Sequence, residues 1–318
     1  MILVDKVKII PIADESLGVR SMTTFIETPD VRILLDAGVA LAPLRYGRPP
    51  HPREFKALEE ARKRIEEYAE RADIVTISHY HLDHYTPPFK SIYTCTDQES
   101  FIKVYQDKLV LVKNFEENIN VRQRLRAKAL YRSIKDIVYK LIHVDGYSLN
   151  LGDTLIKFSK VYPHGPDGSK LGWILMVTIV NEGTKVLFAP DVQGPMSSSA
   201  LKYILTERPE VLILGGPPTY LSGIKVAKEL VERGLKSIAL LSKVCKTLVL
   251  EHHLLRDLHW REQVFKYLEE EVGNLITASQ ILGRTENLLE ARRAELYEEE
   301  PPDKEFLRWV RQHRKSKE

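Results

Sequence analysis

Six consecutive residues constrain this chain more than any other feature. They are His79-Tyr80-His81-Leu82-Asp83-His84, directly after the short apolar run Ile74-Val75-Thr76-Ile77-Ser78. The run reads as a buried β-strand that delivers the chain, still extended, into the histidines. Residues i and i+2 of an extended segment project to the same side, so His79 and His81 can share one metal ion. Asp83 and His84, one turn on, can face a second. Imidazole and carboxylate donors without thiolate suit Zn²⁺ first, with Mn²⁺, Fe or Co²⁺ next. With 10 His in 318 residues, an HxHxDH pattern arises by chance in about 5 × 10⁻⁴ of such chains, so the spacing is specific.

The rest of the composition narrows the class. At 43% hydrophobic and 29% charged residues, the chain can bury a sizeable core, which excludes a disordered protein. No apolar run approaches the roughly 18 residues that span a bilayer. Asp5, Lys6 and Lys8 break the apolar opening before a signal-peptide core can form, so a cytoplasmic protein without a membrane partner is expected. Cys95 and Cys245 lie far apart with no CxxC spacing, which excludes a disulfide framework and a thiolate zinc site. The net charge of +3 hints at an anionic partner. Abundant Lys, Arg and Glu with few Cys and Met is the pattern of hot-adapted proteins.

Along the chain, β-rich stretches come first: VKIIPI, MTTFIET and VRILLD, the last running into Ala37-Gly38. Apolar residues every three or four positions from Glu54 to Ala72 predict an amphipathic helix, with Pro52 suited to its start. Residues 100–142 read as a basic helical insertion, in which Arg122, Arg124, Arg126, Lys128, Arg132, Lys135 and Lys140 face a single Asp136 between Val121 and Lys140. Strands are expected at 155–163, 173–181 and 185–190, the last two joined by a hairpin turn at Asn181-Glu182-Gly183-Thr184. Strand EVLILGG leads to a helix capped by Ser222 and ending at Gly234. Strand TLVLE at 247–251 ends at His252-His253, and Trp260–Val272 reads as a further helix. One α/β domain over 1–283 and a C-terminal helical extension over 284–318 is the economical division.

With these motifs in order, the sequence resembles the metallo-β-lactamase superfamily, and within it an archaeal branch. Asp36 in LLDAG, the HxHxDH cluster, His164 in VYPHGPDG, Asp191 in VLFAPDVQG and the histidine doublet of LVLEHHLLRD match its five motifs across about residues 1–256. The resemblance implies an αββα four-layer sandwich and a two-metal centre, most suitably two Zn²⁺ per chain. It implies His79, His81 and His164 on one metal, Asp83, His84 and His252 on the other, and Asp191 bridging. Asp36 would orient the histidine loop rather than bind metal. Either residue of the doublet can be the ligand; with His252 in that place, His253 faces the cleft as an acid or substrate contact. Asp83, Asp191 and His253 are then the residues expected to act in catalysis. His51, His143, His259 and His313 lack partners in sequence and are assigned surface or packing roles.

The implied activity is hydrolysis by a metal-activated hydroxide. Only 61 positions separate Asp191 from His252, too few for the cap domain of the RNA-processing relatives. The extra length lies between His84 and His164, where the basic helix can overhang the site and hold phosphates. A phosphodiester, from a small molecule or a nucleic acid, is the first substrate choice. A thioester or lactone is the alternative, and a metal-stabilised nucleic-acid-binding protein without turnover is the third. The 45–52, 165–168 and 215–218 loops are expected at the rim, with Tyr220 a candidate leaving-group donor by position.

Overall fold

The computed structural model describes residues 1–268 and 273–313. Its first half builds one seven-stranded sheet, from β1 (Ile2–Val4), β2 (Val7–Asp14), β3 (Met22–Glu27), β4 (Arg32–Leu35), β5 (Ile74–Ile77), β6 (Leu109–Val112) and β7 (Lys140–His143), in that spatial order. The first four strands form an antiparallel meander, and β4 to β7 run parallel. Each parallel crossover carries a helix: α1 (Pro52–Arg71), α2 (Gln98–Tyr105) and α3 (Val121–Ile134).

The second half repeats the plan. Strands β8 (Ser148–Leu151) and β9 (Thr154–Phe158) precede a two-stranded ribbon of β10 (Tyr162–Pro163) and β11 (Trp173–Ile174). Strands β12 (Val177–Asn181), β13 (Thr184–Ala189), β14 (Val211–Gly215), β15 (Thr247–Glu251) and β16 (Leu275–Ile276) complete a sheet ordered β8-β9-β12-β13-β14-β15-β16. It is antiparallel up to β13 and parallel beyond. Helices α4 (Ser198–Glu207), α5 (Lys228–Ser242) and α6 (Trp260–Phe265) make its crossovers, followed by α7 (Ala278–Ile281), α8 (Arg293–Glu299) and α9 (Lys304–His313).

Burial explains the layering. Ile9, Ile33 and Leu35 of the first sheet meet Val177, Ile179, Phe188 and Val249 of the second in one buried cluster. The opposite face of the first sheet, with Phe25, Leu34 and Val75, is covered by Leu58 and Ile65 of α1, Phe101 of α2 and Leu130 of α3. Leu187, Leu212 and Leu248 of the second are covered by Ile204, Ile238 and Val264. Both faces of each sheet are therefore buried, which is why the parallel strands read as continuous apolar runs. The result is the four-layer αββα sandwich. Among the described residues, no helix is long and apolar enough to cross a membrane.

Three local expectations need correction. The stretch 100–142 is not wholly helical: β6 and β7 lie within it, and only α3 carries the basic row. The helix expected from Ser222 begins at Lys228 and passes through Gly234, whose missing side chain admits Gln193 O and Pro217 to within about 3 Å of where a Cβ would stand. The helix expected over Trp260–Val272 is α6, ending at Phe265, and residues 269–272 lie outside the described part.

The C-terminal segment packs back onto the first half. The Arg293 guanidinium donates to both Glu54 carboxylate oxygens at 2.8 and 2.7 Å, with both side chains fully buried. His51, assigned only a packing role, caps α1: its Nδ1 accepts from Arg53 N and its Nε2 lies 2.7 Å from Glu300 O. His143 sets its ring edge-on against Phe115.

Candidate metal centre

Strand ends place every chemical group of the site. Asp36 follows β4, His79 follows β5 after one serine, His164 follows β10, Asp191 lies two residues past β13, and His252 follows β15. Asp36, Asp191 and His252 all have left-handed backbones, with φ of 48°, 48° and 66°. Such a conformation costs on the order of 1–3 kcal/mol for a residue with a side chain, so the surroundings must hold it.

Asp191 is the hub. Its Oδ2 lies 3.1 Å from His79 Nε2 and 2.8 Å from His84 Nε2. Its Oδ1 lies 3.3, 3.2 and 3.0 Å from Nε2 of His164, His252 and His253. The carboxylate is buried, yet neither oxygen has a hydrogen bond of acceptable geometry, and His164 Nδ1 is equally bare. Buried polar atoms are ordinarily satisfied. Crowded imidazole and carboxylate donors left unsatisfied together fit a divalent cation better than a proton network. Potential ligand atoms of His79, His81, His164 and Asp191 lie within 4.8 Å of one another, as do those of Asp83, His84 and His252.

The supporting contacts fix which nitrogen each ring offers. Asp36 accepts from Ser78 N at 2.8 Å, from Ser78 Oγ, and lies 2.8 Å from His84 Nδ1. Its oxygens are thus occupied in orienting the histidine loop, and His84 Nε2 is left for Asp191. Ser78 Oγ lies 3.0 Å from His79 Nδ1. His81 turns Nδ1 toward His79 Nε2, 3.0 Å away, and sets Nε2 against the Gln123 amide at 3.2 Å. Second-sphere partners of this kind orient metal-binding imidazoles.

Gly38 explains the glycine of the LLDAG segment. A Cβ there would stand 2.1 Å from Tyr85 N and 2.5 Å from His84 N. Gly38→Ala is therefore expected to displace the His84 turn, at an overpacking cost of about 1–3 kcal/mol. Elemental analysis should show reduced metal content, and unchanged content would show that the turn accommodates the methyl group.

A family model of the beta-lactamase superfamily domain matches residues 19–237. A UPF0282 protein of Methanopyrus kandleri is 42% identical over 293 residues, covering 92% of this chain and all of that protein. The chain belongs to the UPF0282 family of the metallo-β-lactamase superfamily. A UPF0282 protein of Pyrobaculum calidifontis is 44% identical over 295 residues, covering 92% of this chain and 96% of that one. Among solved structures, the isothiocyanate hydrolase from Delia radicum gut bacteria aligns with 15% identity over 82% of this chain and 94% of that one, at a TM-score of 0.49.

Charge states in this UPF0282 chain suit cation binding. Burial holds His79 well below the usual imidazole range, with His84 nearby adding to the effect. Burial and His164 push His81 down to about 3. His164, His252 and His253 are lowered as well, burial being the main cause in each. Burial works against ionisation of Asp191 and Asp83, but the surrounding histidines outweigh it and hold both carboxyls below their ordinary range. His84 is the exception: burial opposes its proton, yet Asp191 and Asp36 on its two nitrogens raise it well above the usual range. Neutral imidazoles and ionised carboxylates are the forms that bind metal.

Arg256, one turn further on, approaches both residues of the doublet. Arg256 Nη1 lies 3.0 Å from His253 Nδ1. A guanidinium can only donate, so His253 Nδ1 accepts and its Nε2 carries the proton. His252 Nδ1 lies 3.5 Å from the Glu15 carboxylate and 3.4 Å from Arg256 Nη2, and its Nε2 lies 3.2 Å from Asp191 Oδ1. Glu15 also pairs with Arg256 at 2.5 Å, and burial pushes its carboxyl up to about 8 against that cation.

A cavity of about 570 Å³ opens beside the cluster, and His81, Asp83, His164, His252 and His253 are among its lining residues. Its walls come from residues 40–43, from Leu82, from the 89–94 loop, and from Arg126 and Leu171, with Arg20 and Arg256. The expected rim loops at 45–52, 165–168 and 215–218 contribute none of these. Tyr220 is not on the wall either, and its ring lies 4.0 Å under the Arg45 guanidinium. Sequence reasoning missed Glu15, Gln123 and Arg256. The four-residue step from His252 to Arg256 was a usable signal, whereas Gln123, 42 positions from His81, gave none.

Proposed function

We propose that this protein is a metal-dependent hydrolase of small anionic esters, with a phosphodiester of nucleotide size as the first candidate. The observation that carries the reading is the buried Asp191 carboxylate, ringed by five imidazole nitrogens and hydrogen-bonded to none. His79, His81 and His164 would hold one ion, Asp83, His84 and His252 the other, with Asp191 between them and Zn²⁺ as the best-suited metal. Ions held there supply Lewis-acid polarisation of the ester and acidify water toward neutral pH.

The chain's own residues do the rest. Asp83, kept ionised, presents an acceptor at the cavity floor that can orient a water molecule. His253 presents Nε2–H, with its tautomer fixed by Arg256, and donates to the oxygen on which charge develops. The cavity volume is that of a small-molecule site, and Arg126 on its wall favours an anion.

Protein purified without chelator should contain two ions per chain by elemental analysis. It should hydrolyse bis(4-nitrophenyl) phosphate faster than a lactone or thioester, with chelator abolishing turnover. Faster lactone or thioester cleavage would move the reading to carboxylic ester chemistry. Metal-free protein from metal-supplemented growth would end it. His253→Gln should keep both ions and lower kcat about 100-fold, within the usual range for losing a general acid. An unchanged kcat would remove His253 from the mechanism.

A further inference from the structure

The charges on the cavity wall do not cancel evenly. Arg20 donates from Nε and Nη2 to the two oxygens of Glu290, both at 2.6 Å. Arg256 is paired with Glu15, with Asp83 3.7 Å from its Nη2. These two guanidinium groups are each engaged by a carboxyl group that is not itself part of the wall. Arg126 is half-buried on the same wall and, among the described residues, makes no hydrogen bond or ion pair.

Its station is fixed nonetheless. Asn120 caps α3 by accepting from Gln123 N at 2.9 Å, and its Nδ2 donates to Leu171 O at 2.9 Å. Gln123 accepts from Tyr80 N at 3.2 Å and donates to Leu171 O at 2.7 Å. The first turn of α3 is thereby tied to the histidine loop and to the loop after His164, and Arg126 follows within the next turn. The same lining includes the apolar Leu41, Pro43, Leu82 and Phe89. The cavity thus offers candidate ion-binding histidines, apolar wall residues and one guanidinium without a carboxylate partner.

We propose that Arg126 binds a second anionic group of the substrate, a carboxylate or phosphate separated from the scissile ester by an apolar spacer. The inference rests on the anionic-ester reading and narrows it to small esters bearing two acidic groups. A planar guanidinium suits such a group because its fork donates two parallel hydrogen bonds.

The test measures binding of phosphonates to the metal-loaded protein by calorimetry. Phosphonoacetate, 3-phosphonopropionate and 4-phosphonobutyrate are compared with methyl-, ethyl- and propylphosphonate, so that each pair differs only in the remote carboxylate. A charged hydrogen-bonded contact predicts that the best-fitting carboxylate binds about tenfold tighter than its partner. In Arg126→Gln that gap should close to about twofold, with the simple phosphonates unaffected; Arg126→Lys should keep part of it. Arg122→Gln, one turn earlier on α3, should keep it whole. Simple phosphonates binding with no gap at any length would overturn the role of Arg126 and leave the hydrolase reading standing. A gap that survives Arg126→Gln, or that vanishes together with simple phosphonate binding, would overturn it as well. No phosphonate binding at all would overturn the anionic-ester reading itself.

Discussion

Asp191→Ala is expected to empty the metal centre, with less than one ion per chain against the two proposed for the wild type. The carboxylate contacts five imidazole nitrogens and belongs to both groups of convergent donors that contain His164 or His253. Removing it would delete the negative charge between the two proposed ion positions and leave five rings around a void. Asp191→Asn separates charge from shape, since the amide fills the same space. If the charge decides, Asn should lose nearly as much metal as Ala. If filling the space decides, Asn should retain most of it. Two ions in both variants would refute the bridging role.

The second large effect lies away from the chemistry. Glu54→Ala or Arg293→Ala should each destabilise the protein by about 3–5 kcal/mol, because each leaves a fully buried charge without its partner. Both side chains are at 0% exposure, and the pairing is bidentate. Glu54 also accepts from His51 N, closing the capping box of α1. The double variant Glu54→Leu/Arg293→Met should lose far less than the sum of the single losses, since neither charge is then stranded. Denaturant unfolding of the four proteins measures this directly. Additive losses would show that the two residues contribute independently and not as a pair.

How legible all this was depends on distance along the chain. Asp36, the histidine cluster, His164, Asp191 and His252 could be read because each ends or follows a strand, where an apolar run stops at a charged or imidazole residue. The hairpin was readable too: Asn181 pairs with Thr184, and Glu182 and Gly183 take the positive φ that such a turn demands. Strands β6 and β7 were not, because LVLV and KLIH are four-residue parallel strands whose pattern does not differ from that of a helix fragment. Gly234 misled for another reason: it serves a close approach between elements rather than a helix end. Arg20–Glu290 and Glu54–Arg293 join residues 270 and 239 positions apart. No local pattern signals such a pair, although both set the shape or footing of the site.

The repeated plan of the two sheets has a mechanical consequence. In each, the strand at which antiparallel pairing gives way to parallel leads to an aspartate with left-handed backbone: Asp36 after β4 and Asp191 after β13. The first half contributes His79, His81, Asp83 and His84, and the second contributes His164, Asp191 and His252. An ion at this seam would act as a further cross-link between halves that also meet through apolar packing and through ion pairs such as Glu15–Arg256, Arg20–Glu290 and Glu54–Arg293. Its release would weaken their docking before it disturbed either sheet. Stability should then rise with the logarithm of free metal, by about 1.4 kcal/mol for each ion and each tenfold increase above its Kd. The catalytic ion and a bolt that helps join the two halves would be one and the same.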